Sequence, residues 1–281
     1  MIKHSLSFSI GNAKLKADTL ILSLPASHSC PFAKNCRTSA DKETGKLTNG
    51  KDCQYRCYAA STEALFKNVR KSRWNNFESL KRAKTIIGMA NLIEQGIINR
   101  KNIKLVRYHQ SGDFFSQDYF DAWLLIAKNH PELIFYGYTK SIPYLIKRMN
   151  EIPGNFKIVA SRGGVHDNLI NLFGLRSAIV VYSEKEAKNM NLETDHDDSH
   201  CWNYNKDFAI VIHGNQPAGT DASKAWQKIV KSGAGGYKSD YFAHYNKQKT
   251  VKVNSFNVPP INLNIARKIR FVPTRMKEDR A

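Results

Sequence analysis

Four of the five cysteines of this chain fall in one window, His28 to Ala60, reading HSCPFAKNCRTSADKETGKLTNGKDCQYRCYAA. Five residues separate Cys30 from Cys36, three separate Cys53 from Cys57, and sixteen lie between the pairs. The intervening stretch is polar and lysine-rich, with Gly45 and Gly50 and almost no apolar residue to anchor it in a core. Something other than packing is therefore expected to hold it. A metal centre gripped by Cys30, Cys36, Cys53 and Cys57 would do so, because thiolates select zinc and iron–sulfur clusters. Structural zinc sites usually show C-x2-C knuckles, whose short turn aims two sulfurs at one small ion. The longer spacers here suit a [4Fe-4S] cubane, whose thiolate-bearing corners lie further apart, with Zn²⁺ the alternative. Disulfides and four unrelated buried thiols are the competing explanations. Against disulfides, MIKHSLSFSIGN lacks the apolar run of a secretory leader, and a cytoplasmic location, where thiols stay reduced, is expected.

The surrounding elements must carry that loop. Thr19 to Leu24 reads as a short buried strand ending at Pro25 and the cysteine loop, residues 25–60. Before it, residues 4–18 alternate apolar and polar about Gly11-Asn12 and read as a hairpin. After Cys57 a helical stretch runs from Thr62 to about Ile98. From Ile103 onward short apolar strands alternate with amphipathic helices: IKLVRYH, ELIFYGY, FKIVA, SAIVVYS and DFAIVIH each precede one. With the first strand this makes six strand-then-helix units. The expected fold is α/β, a partial (β/α)6 barrel with parallel strands and helices outside. One domain over residues 1–235 is expected, with residues 236–281, where the rhythm is lost, as a C-terminal extension packed on or flanking it.

Chemistry in such folds collects at the C-terminal strand ends. There the chain offers His109, Ser111, Gly112 and Asp113 after the second strand, then Tyr138, Thr139, Lys140 and Ser141 after the third. Ser161, Arg162, Gly163 and Gly164 follow the fourth, Ser183 and Glu184 the fifth, and His213, Gly214, Asn215 and Gln216 the sixth. Together they suggest a lined pocket, in which His109, Asp113, Lys140, Arg162 and His213 are the candidate catalytic groups. Each also has a structural explanation: glycines for tight turns, aspartates for helix caps. The segment DHDDSHC, Asp195 to Cys201, is read as a hydrated turn with surface histidines in preference to a divalent-metal site, and Cys201 as an ordinary thiol.

The balance of 43 Lys+Arg against 24 Asp+Glu, a formal charge of +19, points to a polyanionic partner, DNA or RNA. Seven cations within eighteen residues, Lys67, Arg70, Lys71, Arg73, Lys81, Arg82 and Lys84, make the long helical stretch the expected phosphate-binding face. No run of eighteen apolar residues occurs, so no membrane partner is expected. Nothing matches a P-loop, a dinucleotide fingerprint or a nucleophile elbow.

The ordered set SLPASHSCPFAKNC, CYAAS, RYHQSGDFFSQDYFDAW, YGYTKS, ASRGG, VVYSE, DHDDSH and HGNQPAG resembles the gene product 88-like proteins of phages and plasmids, over roughly residues 20 to 235. The resemblance implies a mobile-element protein whose cysteines bind an iron–sulfur cluster, and implies no particular activity. More loosely, a cysteine loop after the first strand and SGD after the second resemble radical S-adenosylmethionine barrels. That likeness implies Ser111, Gly112, Asp113 and Arg162 as cofactor contacts. The motif of that class is C-x3-C-x2-C; Cys53 and Cys57 match its first two positions, whereas Ala60 stands at the third. Four cysteine ligands would close every iron and disfavour S-adenosylmethionine; three would leave one open. The expected function is thus an iron–sulfur protein that binds nucleic acid through its basic surface, the cluster being structural or redox-sensing. A radical S-adenosylmethionine-type enzyme and a metal-dependent nuclease using His109 and Asp113 or His196 to His200 are the alternatives.

Overall fold

In a computed structural model, residues 5–12, 15–98 and 100–232 are described. The expected extension, residues 236–281, and the boundary at 235 lie outside them. The described chain begins with β1 (Phe8–Ile10) and β2 (Thr19–Ser23), followed by β3 (Thr38–Ala40) and β4 (Leu47–Asn49) inside the cysteine loop. Three helices come next: α1 (Tyr58–Leu65), α2 (Lys67–Ala83) and α3 (Ile86–Ile98). Strand and helix then alternate through β5 (Leu105–Ser111), α4 (Gln117–Asn129), β6 (Ile134–Thr139), α5 (Ile142–Arg148), β7 (Phe156–Ser161), α6 (Asp167–Leu172), β8 (Ser177–Val181) and α7 (Glu184–Asn189). The short β9 (Glu193–Thr194) and α8 (Ser199–Asn203) precede β10 (Phe208–Val211) and α9 (Asp221–Lys231).

One eight-stranded sheet has the order β1-β2-β5-β6-β7-β8-β10-β9, parallel throughout except for β1. From β2 to β8 each new parallel strand is laid beside the previous one, so all their C-terminal ends share one edge. The two-residue periodicity of the strands sorts their side chains by face. Leu20, Leu22, Val106, Tyr108, Phe135 and Phe156 enter the main core with residues of α2, α3 and α4. Leu105, Tyr136, Val159, Ala178 and Phe208 enter a second cluster with Cys201 of α8. On the main-core side Tyr108 stacks on Phe156 with ring centroids 4.8 Å apart and donates its hydroxyl to Gly137 O (3.0 Å). A Cβ on Gly137 would stand 2.5 Å from the Tyr108 ring, so β6 needs glycine where that ring crosses it.

Two local expectations are corrected. The hairpin does not close within residues 4–18: β1 pairs with β2, Phe8 opposite Leu22 and Ile10 opposite Leu20. The buried run TLIL offers β1 a continuous apolar partner that the lysine-bearing segment before it does not. The helical stretch from Thr62 is broken at Phe66, which is extended, and at Lys84, which is left-handed with φ 57°. The break frees α3 to bury Met89, Ala90, Ile93 and Ile97 in the main core.

Candidate metal centre and adjoining cavity

The cysteine loop lies across the common edge of strand ends, and hydrogen bonds fasten it there. Ser111 Oγ donates to Leu24 O (2.7 Å), and Lys34 and Asn35 N–H donate to Gly163 O after β7. Gln216, after β10, accepts Arg56 N–H at Oε1 (2.7 Å) and donates to Arg56 O (3.1 Å), clamping the residue beside Cys57. Gly112, at φ +89°, is required by this fit: a Cβ there would stand 2.5 Å from Ser29 Oγ and 2.6 Å from Leu24 Cβ.

The loop's polar middle, whose composition suggested a metal as its anchor, has protein contacts of its own. Residues 38–49 form the β3–β4 hairpin, with Thr38 and Ala40 fully buried. Asp41 Oδ1 accepts Thr44 N–H (2.8 Å) and Thr44 Oγ1 (2.7 Å) and so shapes the turn. Arg70 of α2 then donates to three carbonyls, those of Lys42 (3.0 Å), Glu43 (3.1 Å) and Glu63. Beside it the buried Arg73 pairs with Glu63 (2.8 Å), and Glu63 Oε1 also accepts Ala26 N–H (2.9 Å) at the entrance to the loop. A guanidinium's five donors satisfy loop carbonyls that no core could.

A cavity of about 220 Å³ opens between loop and sheet. Cys30, Cys36 and Cys57 line it, with His109, Ser111, Gly112, Asp113, Lys140 and His213 from the expected site. The thiols sense one another. Burial, then Asp113, Cys57 and Cys36, push the Cys30 thiol well up; burial and Cys36 push Cys57 up to about 12. Burial raises Cys36 too, with Lys140 opposing and Cys53 reinforcing. Cys53 does not line the cavity: its Sγ lies 3.4 Å from Thr38 Oγ1 and donates to Tyr55 O (3.2 Å). All five thiols are unbridged. Among the described residues no three His, Cys, Asp or Glu side chains converge as ligands of a single ion.

Several expected site residues are engaged structurally. Asp113 accepts Phe114 N–H (2.7 Å), Thr139 Oγ1 (2.6 Å) and Lys140 N–H (2.7 Å), while burial raises its pKa to about 6. Lys140 Nζ donates to Ser161 Oγ, Ser161 O and Arg162 O. Arg162 does not line the cavity; it donates to Ser177 Oγ and Asn171 Oδ1. Ser183 caps α7 and, like Glu184, lies off the cavity wall. His109 Nε2 meets Tyr119 Oη at 3.1 Å, and burial holds the ring's pKa well below the usual range.

The segment DHDDSHC is not a hydrated turn. Asp195, Asp198 and His200 are all buried. Asp198 Oδ2 lies 2.7 Å from Arg107 Nε, and Asp195 takes Tyr138 Oη (3.0 Å) and His200 Nδ1 (3.2 Å). These carboxylates answer a buried cation and a half-buried phenol, which is why they face inward. Arg107 escaped the sequence reading; its signal was a lone cation within the apolar strand LVRYH. Arg70 and Arg73 likewise sit inside, whereas Lys67, Lys71, Lys81, Arg82 and Lys84 are exposed.

No helix among the described residues is long and apolar enough to cross a membrane. A family model described as Gene product 88 matches residues 4–230. The Gene 88 protein of Mycobacterium phage L5 is 32% identical over 94 residues, 31% of this chain and 39% of that relative. The Gene 88 protein of Mycobacterium phage D29 is 30% identical over 94 residues, with the same shares. The matched stretch thus spans about two fifths of the length of these curated relatives. No solved structure matches the chain. With the family's match running through every strand and helix from β1 to α8 and nearly to the end of α9, the chain belongs to the Gene product 88 family.

Proposed function

We propose that the chain holds a [4Fe-4S] cluster against the mouth of this cavity through Cys30, Cys36 and Cys57, with Cys53 as the fourth ligand from the rim. One observation carries the proposal: three thiols from separate turns of the loop line one cavity and raise one another's pKa. Their donor chemistry fits the group. Soft thiols brought together without converging on a single point suit a cluster with separated iron corners better than zinc, whose donors all lie about 2.3 Å from one ion. Burial keeps these thiols protonated until metal displaces the protons, so loading should release protons. A bound cluster would supply one-electron chemistry or a rigid staple. The protein's own part is the fastening by Gln216, Ser111 and Gly163, which fixes where the thiols stand. Anaerobically purified protein should be brown, with about four irons and four sulfides per chain. A colourless preparation with one zinc refutes the assignment.

The nucleic-acid part of the proposal moves to the outer side of α2. At 3.6 residues per turn Lys67, Lys71, Lys81 and Arg82 share that side and span about 22 Å, enough for several phosphates. Glu78 lies among them and is paired with Lys42 at 2.5 Å. Reversing those four charges should flatten the dependence of affinity on salt, each lost phosphate contact removing roughly 0.7 to 0.9 from the slope. Unchanged affinity and slope count against this face.

Cys53 supports a second reading. Its contacts with Thr38 and Tyr55 set it apart from the other three, and three thiolates would leave one iron open, as in radical S-adenosylmethionine enzymes. Read as a partial (β/α)6 barrel, the unidirectional winding from β2 to β8 agrees with that fold. Under it, Cys53→Ser retains all the iron while the other three serines lose it, and the reduced protein cleaves S-adenosylmethionine to 5′-deoxyadenosine. Loss of iron in all four variants favours the four-ligand cluster.

A further inference from the structure

Arg107 lies four residues before the C-terminal end of β5, about 13 Å below the rim that carries the cysteines. It is buried, lines the cavity, and stacks on Tyr138 with its guanidinium carbon 4.8 Å from the ring centroid. Asp198 Oδ2 pairs with the guanidinium at 2.7 Å from Nε, yet neither Nε nor Nη1 makes a hydrogen bond. Unsatisfied guanidinium donors are costly to bury, and the Arg107 side chain forms part of the cavity wall, where a ligand oxygen can answer it. His109, two residues along, also lines the cavity and leaves Nδ1 without a partner.

The rest of the wall sets the class of ligand. Arg56, Arg107 and Lys140 stand against Asp113 and Asp198, one positive charge in excess, which suits a monoanion and leaves a dianion unbalanced. Val180, Ile210 and Ile212 add apolar surface beside Tyr138. We infer that this cavity is a binding site for a small monocarboxylate with an apolar or aromatic body, its carboxylate seated on the Arg107 guanidinium. Arg supplies directional donors to a carboxylate oxygen, and the ring stacked on its face holds the fork in place. The charge balance is that of the iron-free chain, its lining thiols protonated, so the inference does not depend on the loop thiols holding iron.

Benzoate is the probe and benzamide its neutral match. Calorimetric titration of the purified full chain should give one benzoate per chain, bound at least about tenfold tighter than benzamide. Ile210→Trp fills the cavity without touching the ion pair and should abolish binding. Arg107→Gln alone removes the cation paired with buried Asp198 and risks unfolding, so Arg107→Gln with Asp198→Asn carries the test and should bring benzoate down to the benzamide level. Benzoate binding no tighter than benzamide, or unchanged by Ile210→Trp, overturns the inference. Iron measured on the same samples keeps the two proposals apart: iron without benzoate binding refutes this site alone, and benzoate binding without iron refutes the cluster alone.

Discussion

Replacing Arg73 by methionine separates structure from surface charge on α2. In the native fold Arg73 Nη1 reaches Glu63 Oε1 at 2.8 Å and Ala59 O at 2.9 Å, and the two paired side chains are 7% and 0% exposed. Methionine keeps the aliphatic stem but leaves the Glu63 carboxylate buried, with Ala26 N–H as its remaining donor among the described contacts. Removing one member of a buried pair costs about 3–5 kcal/mol. For a domain of this size that is a fall in Tm on the order of 10 °C. Lys71→Met, two residues away and exposed, should change stability by less than about 0.5 kcal/mol while weakening nucleic-acid binding. Adding Glu63→Gln to Arg73→Met removes the stranded charge, keeps an acceptor for Ala26 N–H, and should restore more than half of the loss. Thermal and urea melts followed by circular dichroism measure all four proteins. A loss below about 1 kcal/mol for Arg73→Met, as for an exposed pair, or no recovery in the double variant, refutes the buttress role.

Gly112→Ala forces a methyl into Ser29 and Leu24 at positive φ; a loss of about 2 kcal/mol or more and faster proteolysis within residues 25–57 are expected from melts and limited digestion. Gln216→Ala frees Arg56 and should lower the iron retained on dilution while moving the melting point by only a few degrees. His109 is held neutral by burial, so the unfolded chain takes up its proton first; stability falls below pH 6.5 by up to about 1.4 kcal/mol per pH unit through this group, and His109→Gln should flatten that fall. Asp113 works in the opposite sense: at about 6 its folded pKa lies above the ordinary carboxyl value of 3.8, so lowering pH across that window favours the fold. Asp113→Asn should therefore steepen the acid-side loss in a pH series of urea melts.

Local patterns made the architecture legible. Runs such as LVRYH and FKIVAS, set between amphipathic helices, dictate parallel strands in sequence order, because each crossover returns the chain to the same sheet edge. The cysteine window and the strand-end residues His109, Ser111, Asp113, Lys140 and His213 could be assembled on one face from that order, and these five line the cavity with Cys30, Cys36 and Cys57. Chain order also carried the family, since its motifs recur in fixed succession.

Charge signs, by contrast, carry no direction. Arg70 and Arg73 fall on the same stripe of α2 as Phe77 and Leu80, so the helical period held the information that they turn inward, but only Glu63 and the carbonyls of Lys42 and Glu43 make burial of those cations affordable. The same holds for Asp195 and Asp198, whose place inside is set by Tyr138 and by Arg107, both distant in sequence. A buried charge is stable only where its partner arrives, and the partner's arrival is a property of the fold. Sequence alone determined which residues bring thiols and polar groups to one edge of the sheet. Tertiary structure decided that three thiols face the cavity, that Arg162 turns away from it, and that a buried arginine with an unanswered donor lies below the cysteines.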